Sequence, residues 1–251
     1  MADLTGLVVL VTGGNSGIGL GMARAVAEAG ADVVIWGRTG DKNRAAAAEL
    51  ETTGRRVLAL ECDVSDEQQV IDAFAASVEA MGKVDSLFAN AGISGWSPFV
   101  DMSLAEWRRV QAINLDGAFL SLREATRHLV ARGEGGSLIG ISSTSTLHGA
   151  PAQEHYASSK AAVGALMRSL AVELARHRIR CNTLLPGWTE SGMLQQDRAP
   201  EKFVEATIRR TPVRRWGEPA DLGPAAVFLA DPANLFHTGD SLVVDGGYTI
   251  F

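Results

Sequence analysis

The chain has 251 residues, of which 46% are hydrophobic and 21% charged, and its formal net charge is −6. This length suits one large α/β domain, and the acidic balance argues against a nucleic-acid partner, which usually needs a basic face. No apolar run approaches the roughly 20 residues of a membrane span, and no secretory signal is recognisable. The two cysteines, Cys62 and Cys181, lie in strand-like runs, and no cluster has metal-ligand spacing. We therefore expect a cytoplasmic protein with free thiols, no bound metal and no membrane partner.

Short apolar runs alternate with longer helical patterns and predict the elements in chain order. The predicted strands are Leu7–Val11, Val33–Trp36, Val57–Leu60, Ser86–Ala89, Leu138–Ser142, Ile179–Leu185 and Leu242–Val244. Most are apolar throughout, which is typical of parallel strands covered on both faces. The predicted helices are Gly17–Ala29, Ala45–Thr53, Glu67–Met81, Leu104–Arg132 and Ala152–His177. The alternation predicts an α/β fold with one doubly wound, mostly parallel sheet of seven strands in a single domain, residues 1–251.

One long stretch, from Pro186 to about Asp240, follows the sixth predicted strand and contains no strand pattern. It should emerge at the carboxyl edge of the sheet, where ligands bind in such folds. We predict that its first part, about residues 188–215, forms a substrate lid.

The first strand runs into a glycine-rich turn that opens the first helix, and from Thr12 to Gly19 the sequence is TGGNSGIG. Glycine permits a tight turn and the close approach of a pyrophosphate, and the free N–H groups of the helix start can bind phosphate. Glycine required only for strand–helix packing is the alternative. The strand before the turn and its N-terminal position favour a dinucleotide cradle formed by Gly13, Asn15, Ser16, Gly17, Ile18 and Gly19.

The end of the second strand bears on which dinucleotide is bound. An NAD site usually has Asp or Glu here to accept from the ribose 2′-hydroxyl, whereas this chain has Gly37 followed by Arg38. A guanidinium can pair with a 2′-phosphate and stack on adenine. We predict a preference for NADP(H), with NAD(H) still usable if Arg38 only stacks.

Tyr156 and Lys160, within YASSK, indicate proton transfer. Spaced i and i+4, they share one face of a helix. A free tyrosine has a pKa of about 10, and a nearby ammonium should lower it, so that Tyr156 can exchange a proton with a carbonyl or alcohol. Ser143, thirteen residues before the tyrosine, can hold the substrate oxygen, and Ser142 is the competing candidate. The set predicts an oxidoreductase acting on a small-molecule carbonyl or alcohol.

Further motifs occur in an order that resembles the short-chain dehydrogenase/reductase family over nearly the whole chain. They are CDVSD ending at Asp66, NAG at 90–92, NLDGAF from Asn114, ISS ending at Ser143, PGWTES from Pro186 and VVDGGY ending at Tyr248. The resemblance implies a Rossmann-like fold and direct hydride transfer between nicotinamide C4 and the substrate carbon. It also implies a homotetramer that packs through the YxxxK helix and the last strand.

The resemblance extends the cofactor contacts beyond the glycine turn. These contacts would be Asp63, Val64, Asn90, Ala91, Gly92, Tyr156, Lys160, Pro186, Gly187, Thr189 and Ser191. Asp63 would accept from the adenine amino group, and the backbone of Thr189 would meet the nicotinamide carboxamide. Ser191 stands where family members often have threonine, although serine keeps the hydroxyl.

The same resemblance implies a catalytic set of Asn114, Ser143, Tyr156 and Lys160. Asn114 would interrupt its helix and hold a water that links Lys160 to solvent. Because all four are present, a non-catalytic dinucleotide-binding protein is the weaker alternative. A sugar-nucleotide epimerase shares YxxxK but predicts another glycine spacing and a longer C-terminal domain.

Three segments, residues 93–99, 144–155 and 188–210, should surround the substrate. Their candidate contacts are Trp96, His148, His155, Trp188 and Met193, each of which could instead serve local packing or hydrogen bonding. The nearby arginines could attract an acidic substrate or be solvated, and they are Arg209, Arg210 and Arg214. Arg215 resembles a structural arginine of the family.

Three substrate classes stay open. They are an acyl-thioester ketone, a sugar acid or polyol, and a bulky cyclic or aryl ketone. A thioester on a carrier protein would need a basic patch, which Arg123, Arg127 and Arg132 could supply. The ending DGGYTIF resembles that of sugar-acid dehydrogenases in the family.

Overall fold

The computed structural model describes residues 2–192, 194, 197 and 199–251. Its strands are β1 Val8–Thr12, β2 Asp32–Gly37, β3 Val57–Glu61, β4 Ser86–Ala89, β5 Gly136–Ile141, β6 Ile179–Pro186 and β7 Ser241–Val244. Its helices are α1 Gly17–Glu28, α2 Gly40–Glu51, α3 Glu67–Met81, α4 Leu104–Gln111, α5 Gly117–Arg132, α6 Glu154–Leu174, α7 Glu201–Arg210 and α8 Gly223–Ala230. Shorter helical turns cover Ala112–Asp116, Thr144–Thr146, Ala175–His177, Pro219–Leu222 and Tyr248–Ile250.

The described strands form one seven-stranded sheet in the order β3-β2-β1-β4-β5-β6-β7, and every neighbouring pair is parallel. Each lies within two residues of its predicted bounds. All residues of β1, β2, β4 and β6 are buried, which explains why β1, β2 and β4 are mostly apolar. Strand β6 also buries Arg180, Asn182 and Thr183. The predicted doubly wound α/β fold is confirmed.

Helices cover both faces of the sheet. On one face, α1, α2 and α8 contribute Met22, Val26, Leu50 and Leu229 to a core with the strands. On the other face, α3, α5 and α6 pack a second core that contains Phe74, Leu122, Val163 and Met167. None of the helices in the described part of the chain is long and apolar enough to cross a membrane.

The helices depart from the predicted elements in three places. The pattern over Leu104–Arg132 is not one helix, because α4 ends at Gln111 and a wider π-helical turn, Ala112–Asp116, precedes α5. Helix α2 begins at Gly40, five residues before the predicted Ala45. The stretch after β6, for which no strand was predicted, contains α7 and α8.

Candidate active site

A cavity of about 880 Å³ opens at the carboxyl edge of the sheet. The loops that follow the strands line it, with Gly13 after β1, Arg38 after β2, Asp63 after β3, Asn90 after β4 and Gly187 after β6. The sheet grows from β1 to β3 on one side and from β4 to β7 on the other, so the loops after β1 and β4 diverge. Open α/β sheets bind ligands in the crevice at such a switch point.

The glycine-rich turn between β1 and α1 has the backbone of a phosphate cradle. Gly13 and Gly17 have φ values of 65° and 52°, in the left-handed region that favours glycine. A Cβ on Gly19 would lie 2.2 Å from the carbonyl oxygen of Gly13, so a side chain there would fill the turn. Helix α1 has no acidic residue in its first turn, which leaves its N-terminus suited to an anion. The turn fits a dinucleotide pyrophosphate, and its predicted contacts all line the cavity: Gly13, Asn15, Ser16, Gly17, Ile18 and Gly19.

The loop after β4 is tied to this turn through Thr12. The Thr12 hydroxyl oxygen accepts from the backbone N–H of Asn90 at 3.0 Å and of Ala91 at 2.9 Å. The Asn90 side-chain amide donates to the carbonyl oxygens of Thr12 at 2.9 Å and Gly13 at 3.3 Å. Asn90, Ala91 and Gly92 all line the cavity. Asn90 therefore fixes the cradle and the neighbouring loop as one unit.

The loop after β2 has no room for the acidic residue of an NAD site. A Cβ on Gly37 would lie 2.1 Å from the side-chain nitrogen of Asn15, which donates to Asn43 at 2.7 Å. The Asn43 amide in turn donates to the carbonyl oxygen of Gly37 at 2.9 Å. A side chain at position 37 would displace this asparagine pair.

Cationic side chains lie beside this loop instead. Arg38 is exposed on the cavity wall, with Nη1 4.0 Å from Oδ2 of Asp63. The other carboxylate oxygen of Asp63 accepts from the Ser65 hydroxyl at 2.7 Å. Val64 lines the cavity as predicted. Lys42 also lines it and was not a predicted contact. Two exposed cations and one carboxylate thus line this part of the cavity.

The loop after β6 reaches back to the glycine turn. A Cβ on Gly187 would lie 2.6 Å from Cβ of Asp245, so glycine lets this loop approach the turn after β7. A Cβ on Gly17 would lie 3.1 Å from Cβ of Ser191, which shows how closely the loop approaches the start of α1. The predicted contacts from this loop all line the cavity: Pro186, Gly187, Thr189 and Ser191.

Helix α6 presents Tyr156 and Lys160 to the cavity. Nζ of Lys160 lies 5.8 Å from the centroid of the Tyr156 ring and donates to the carbonyl oxygen of Ile141 at 2.9 Å. Ser143 lines the cavity, and its hydroxyl accepts from the backbone N–H of Ser145 at 3.1 Å. The Ser142 hydroxyl instead donates to the carbonyl oxygen of Lys160 at 2.8 Å. Of the two candidate serines, Ser143 faces the tyrosine and Ser142 anchors the helix.

Burial governs the ionisation of this pair. It raises the pKa of Tyr156 above the usual 10.0, and hydrogen bonding with Ser143 offsets part of the increase. Burial also lowers the pKa of Lys160 from 10.5 to about 8. In the protein by itself, the pKa of Tyr156 therefore changes in the direction opposite to the one expected beside an ammonium, and burial is the main cause. An oxidised nicotinamide ring would bring a further positive charge to this site.

Asn114 lies in the π-helical turn and is fully buried. Its amide donates to the carbonyl oxygen of Ile93 at 2.9 Å and accepts from the Ile93 N–H at 2.8 Å, and it also reaches Ser159 at 3.1 Å. A Cβ on Gly92 would lie 3.2 Å from both Oδ1 of Asn114 and Nζ of Lys160. Asn114 interrupts its helix, as the resemblance implies, and ties the loop after β4 to α6. A water relay from Lys160 stays a prediction.

Three predicted substrate contacts, Trp96, His148 and Trp188, line the cavity. The ring of Phe203 on α7 lies between the two tryptophans, with centroids 6.1 Å from Trp96 and 5.0 Å from Trp188. The ring of His148 meets that of Tyr248 edge-on at 5.3 Å. Met193 lies outside the described residues.

His155 is not among the described residues that line the cavity, and its position agrees with the alternative interpretation of a local contact. Its side chain is 0% exposed, and Nε2 lies 3.6 Å from Oε1 of Glu106 on α4. Its carbonyl oxygen accepts from the Gln111 side chain at 2.9 Å. Consecutive helix residues project about 100° apart, so when Tyr156 faces the cavity, His155 turns towards α4.

Lys42 and Tyr248 line the cavity from outside the predicted segments, and Gln153 and Phe203 line it from within them although neither was singled out. Gln153 precedes α6, and its amide donates to the Ser94 hydroxyl at 2.8 Å. Tyr248 follows β7, and its ring centroid lies 6.0 Å from that of Trp188. Its chain position after a glycine pair was the only sequence signal for Tyr248.

The arginines of α5 form ion pairs, and they do not provide an unpaired basic patch. The pairs are Arg123 with Glu67 and Glu124, Arg127 with Glu124, and Arg132 with Asp85 and Glu134. The suggested docking of a carrier protein loses its structural support. Arg215 pairs with Asp221 at 2.6 Å, in agreement with a structural role.

Comparison with known proteins places this geometry in a family. The family model described as enoyl-(acyl carrier protein) reductase matches residues 13–249. The chain is 40% identical over 248 residues to an L-rhamnose 1-dehydrogenase (NAD(P)(+)) from Sphingomonas sp. strain SKA58, with 98% of each chain covered. The chain belongs to the short-chain dehydrogenase/reductase family.

Other members of the short-chain dehydrogenase/reductase family are similar over their whole length. A gluconate 5-dehydrogenase from Gluconobacter oxydans is 35% identical over 248 residues, with 99% of this chain and 96% of that one covered. The crystal structure of a gluconate 5-dehydrogenase from Burkholderia cenocepacia in complex with NADP and tartrate has a TM-score of 0.94 at 35% identity, covering 99% and 97% of the two chains. This chain is accordingly an NAD(P)-dependent oxidoreductase that acts on CH–OH donors or the matching ketones.

Proposed function

We propose that this enzyme oxidises a hydroxyl-bearing carbon of a polyhydroxylated small molecule, or reduces the matching carbonyl, with Tyr156 as general base or acid. The observation that carries the proposal is the meeting of Tyr156, Lys160 and Ser143 on the wall of the cavity that also contains the dinucleotide cradle. Relatives named for rhamnose and gluconate support a hydroxyl-rich substrate. The rings of Trp96 and Trp188 suit the apolar faces of such a molecule.

Each residue of the site has a defined part in the reaction. A bound nicotinamide would supply the hydride acceptor for an alcohol carbon or the hydride donor for a carbonyl carbon. In oxidation, the substrate hydroxyl gives its proton to the Tyr156 phenolate, and in reduction the Tyr156 phenol gives a proton to the substrate oxygen. Ser143 holds that oxygen, and Lys160 stabilises the phenolate. Asn114 keeps the loop after β4 in place beside Lys160.

The replacement Tyr156→Phe tests this assignment. It removes only the hydroxyl, so we expect turnover to fall by about 10²–10⁴-fold, while NADPH still binds, as followed by nicotinamide fluorescence. Ser143→Ala should also lower turnover. Its matched control is Ser142→Ala, whose hydroxyl is bound to the helix backbone and should matter much less. Near wild-type turnover of Tyr156→Phe would refute the role.

We further propose that NADP(H) is preferred over NAD(H). Arg38 and Lys42 line the cavity, and a side chain at Gly37 would collide with Asn15. A 2′-phosphate would lie beside these two cations, whereas a 2′-hydroxyl would have no carboxylate at position 37 to accept its hydrogen bond. The relatives, one named for NAD(P)(+) and one solved with NADP, are compatible with this preference.

A homotetramer and a cytoplasmic location belong to the same proposal. Val172 on α6 is 82% exposed, and Leu235 and Phe236, ahead of β7, are 69% and 106% exposed. Apolar side chains on these two elements suit subunit contacts through the YxxxK helix and the last strand. The free, buried thiols of Cys62 and Cys181 suit a reducing compartment.

A substrate lid at about residues 188–215, within one domain of residues 1–251, completes the proposal. This segment supplies Trp188, Leu194, Phe203 and Arg210 to the cavity lining. Its closure over a bound substrate would exclude water from Tyr156.

A further inference from the structure

Arg210 ends α7 and lines the cavity. Its guanidinium carbon lies 4.4 Å from the centroid of the Tyr248 ring, and Nη1 is 3.5 Å from the Tyr248 hydroxyl. Nε donates to the carbonyl oxygen of Phe251 at 3.3 Å. Tyr248 is itself buried, so it forms a fixed platform for the guanidinium.

Among the described residues, no Asp or Glu side chain forms an ion pair with Arg210, in contrast to Arg215, which pairs with Asp221. The contact of Arg210 with a backbone oxygen is made through Nε, to Phe251, the last residue of the sequence. Its Nη2 has no hydrogen-bond acceptor among the described residues, whereas Nε and Nη1 are held by Phe251 and Tyr248. One edge of a fixed guanidinium therefore stays available to a ligand.

The rings around Arg210 connect it to the reaction centre. Tyr248 contacts Trp188 at 6.0 Å and His148 at 5.3 Å between ring centroids. Trp188 directly follows Gly187, and His148 lies in the loop that begins at Ser143, so both belong to loops that flank the catalytic residues. The acidic residue among the described lining residues is Asp63, which lies near Arg38 instead. The surroundings of Arg210 thus favour an organic anion.

We propose that Arg210 binds the carboxylate of the substrate and that the substrate is a sugar acid, in preference to a neutral sugar or polyol. The inference rests on the proposed oxidation of a hydroxyl-rich molecule and names its class. A planar guanidinium pairs with a carboxylate through two parallel hydrogen bonds, which fixes the orientation of the ligand as well as its charge. Arg210 would then determine which carbon of the chain reaches Tyr156.

The test compares Arg210→Gln with Arg209→Gln. Both remove one positive charge from the last turn of α7, and Arg209 does not line the cavity. The assay measures KM and kcat for gluconate and for glucitol, which has CH₂OH in place of the carboxylate. For Arg210→Gln we expect KM for gluconate to rise at least about tenfold, the loss typical of a hydrogen-bonded charge, with KM for glucitol unchanged. Arg209→Gln should match the wild type with both compounds.

An Arg210→Gln variant with KM for gluconate within twofold of wild type, or with equal losses for gluconate and glucitol, would overturn the inference. The proposed function would survive that result if the wild type oxidises either compound and Tyr156→Phe does not. Calorimetric titration of gluconate into the protein–NADP complex gives a readout that needs no turnover. Binding that is lost in Arg210→Gln but kept in Arg209→Gln supports the carboxylate site, and absence of binding to the wild type overturns it.

Discussion

Replacing Lys160 by methionine should stabilise the protein at neutral pH while it removes activity. The residue is 4% exposed, and its ammonium donates to one described acceptor, the carbonyl oxygen of Ile141. Burial lowers the pKa of Lys160 from 10.5 to about 8. The folded and unfolded pKa values of Lys160 thus differ by about 2.5 units, and each unit corresponds to about 1.36 kcal/mol. Burying the charged ammonium therefore lowers the free energy of unfolding at neutral pH by about 3 kcal/mol. Methionine has a similar length and no charge.

The substitution also has a cost. Methionine leaves the Ile141 carbonyl oxygen without its present donor. An unsatisfied buried acceptor lowers the free energy of unfolding by about 1–2 kcal/mol. The net gain in the free energy of unfolding is then about 1–2 kcal/mol near pH 7, or a few degrees in melting temperature for a chain of this size. Catalysis should fall by orders of magnitude, because Tyr156 loses the neighbouring cation.

The pH dependence separates this explanation from ordinary repacking. The folded pKa lies below the unfolded one, so between about pH 8 and 10.5 the unfolded wild type binds more protons than the folded state. Wild-type stability attributable to Lys160 therefore rises with pH through that window, and the advantage of Lys160→Met shrinks.

Urea unfolding at one protein concentration, near pH 7 and near pH 10, measures the effect. Lys202→Met is the control, because Lys202 is exposed at the start of α7 and should show no such change between the two pH values. A Lys160→Met protein that is less stable than wild type near pH 7, or an identical difference at both pH values, would refute the reasoning.

Two further predictions address the cofactor and the assembly. Arg38→Ala should raise KM for NADPH by about tenfold or more and change KM for NADH little, because a charge-assisted contact to the 2′-phosphate is lost; equal effects on both cofactors would contradict the assignment. Light scattering should give the mass of four chains, and replacing Phe236, whose side chain is 106% exposed, by Asp should shift the distribution to smaller species; a monomeric wild type would contradict the tetramer.

The strands could be predicted to within two residues, and for the central ones the reason is that burial on both faces leaves a mostly apolar run in the sequence. The interruption at Asn114 could not be found in this way. The π-helical turn at Ala112–Asp116 inserts into a pattern that still looks helical on both sides, and only the family resemblance indicated the break. Its cause is tertiary, since the Asn114 amide is satisfied by the backbone of Ile93.

The glycine turn and YASSK were recognisable because their chemistry is local in sequence. The ionisation of Tyr156 was not, because the pKa depends on how much of the ring is shielded from water by distant loops. For His155 the sequence left a substrate contact and a local contact both open. Helix geometry separates neighbours by about 100°, so His155 faces α4 while Tyr156 faces the cavity. Arg210 and Tyr248 lie 38 positions apart, and their contact depends on the approach of α7 to the segment after β7.

The charged residues that line the cavity are mostly cationic, although the chain as a whole is acidic. The protein carries a net charge of −6, yet the described lining residues contain Arg38, Lys42, Lys160 and Arg210 against a single carboxylate, Asp63. Positive charge inside a concave site attracts anions that the remaining surface repels, and salt weakens this attraction. A dinucleotide phosphate and a sugar acid are both anions, so one arrangement would serve both. A neutral polyol would gain a hydrogen bond from Arg210 at most and no charge attraction, and its binding should be less sensitive to salt.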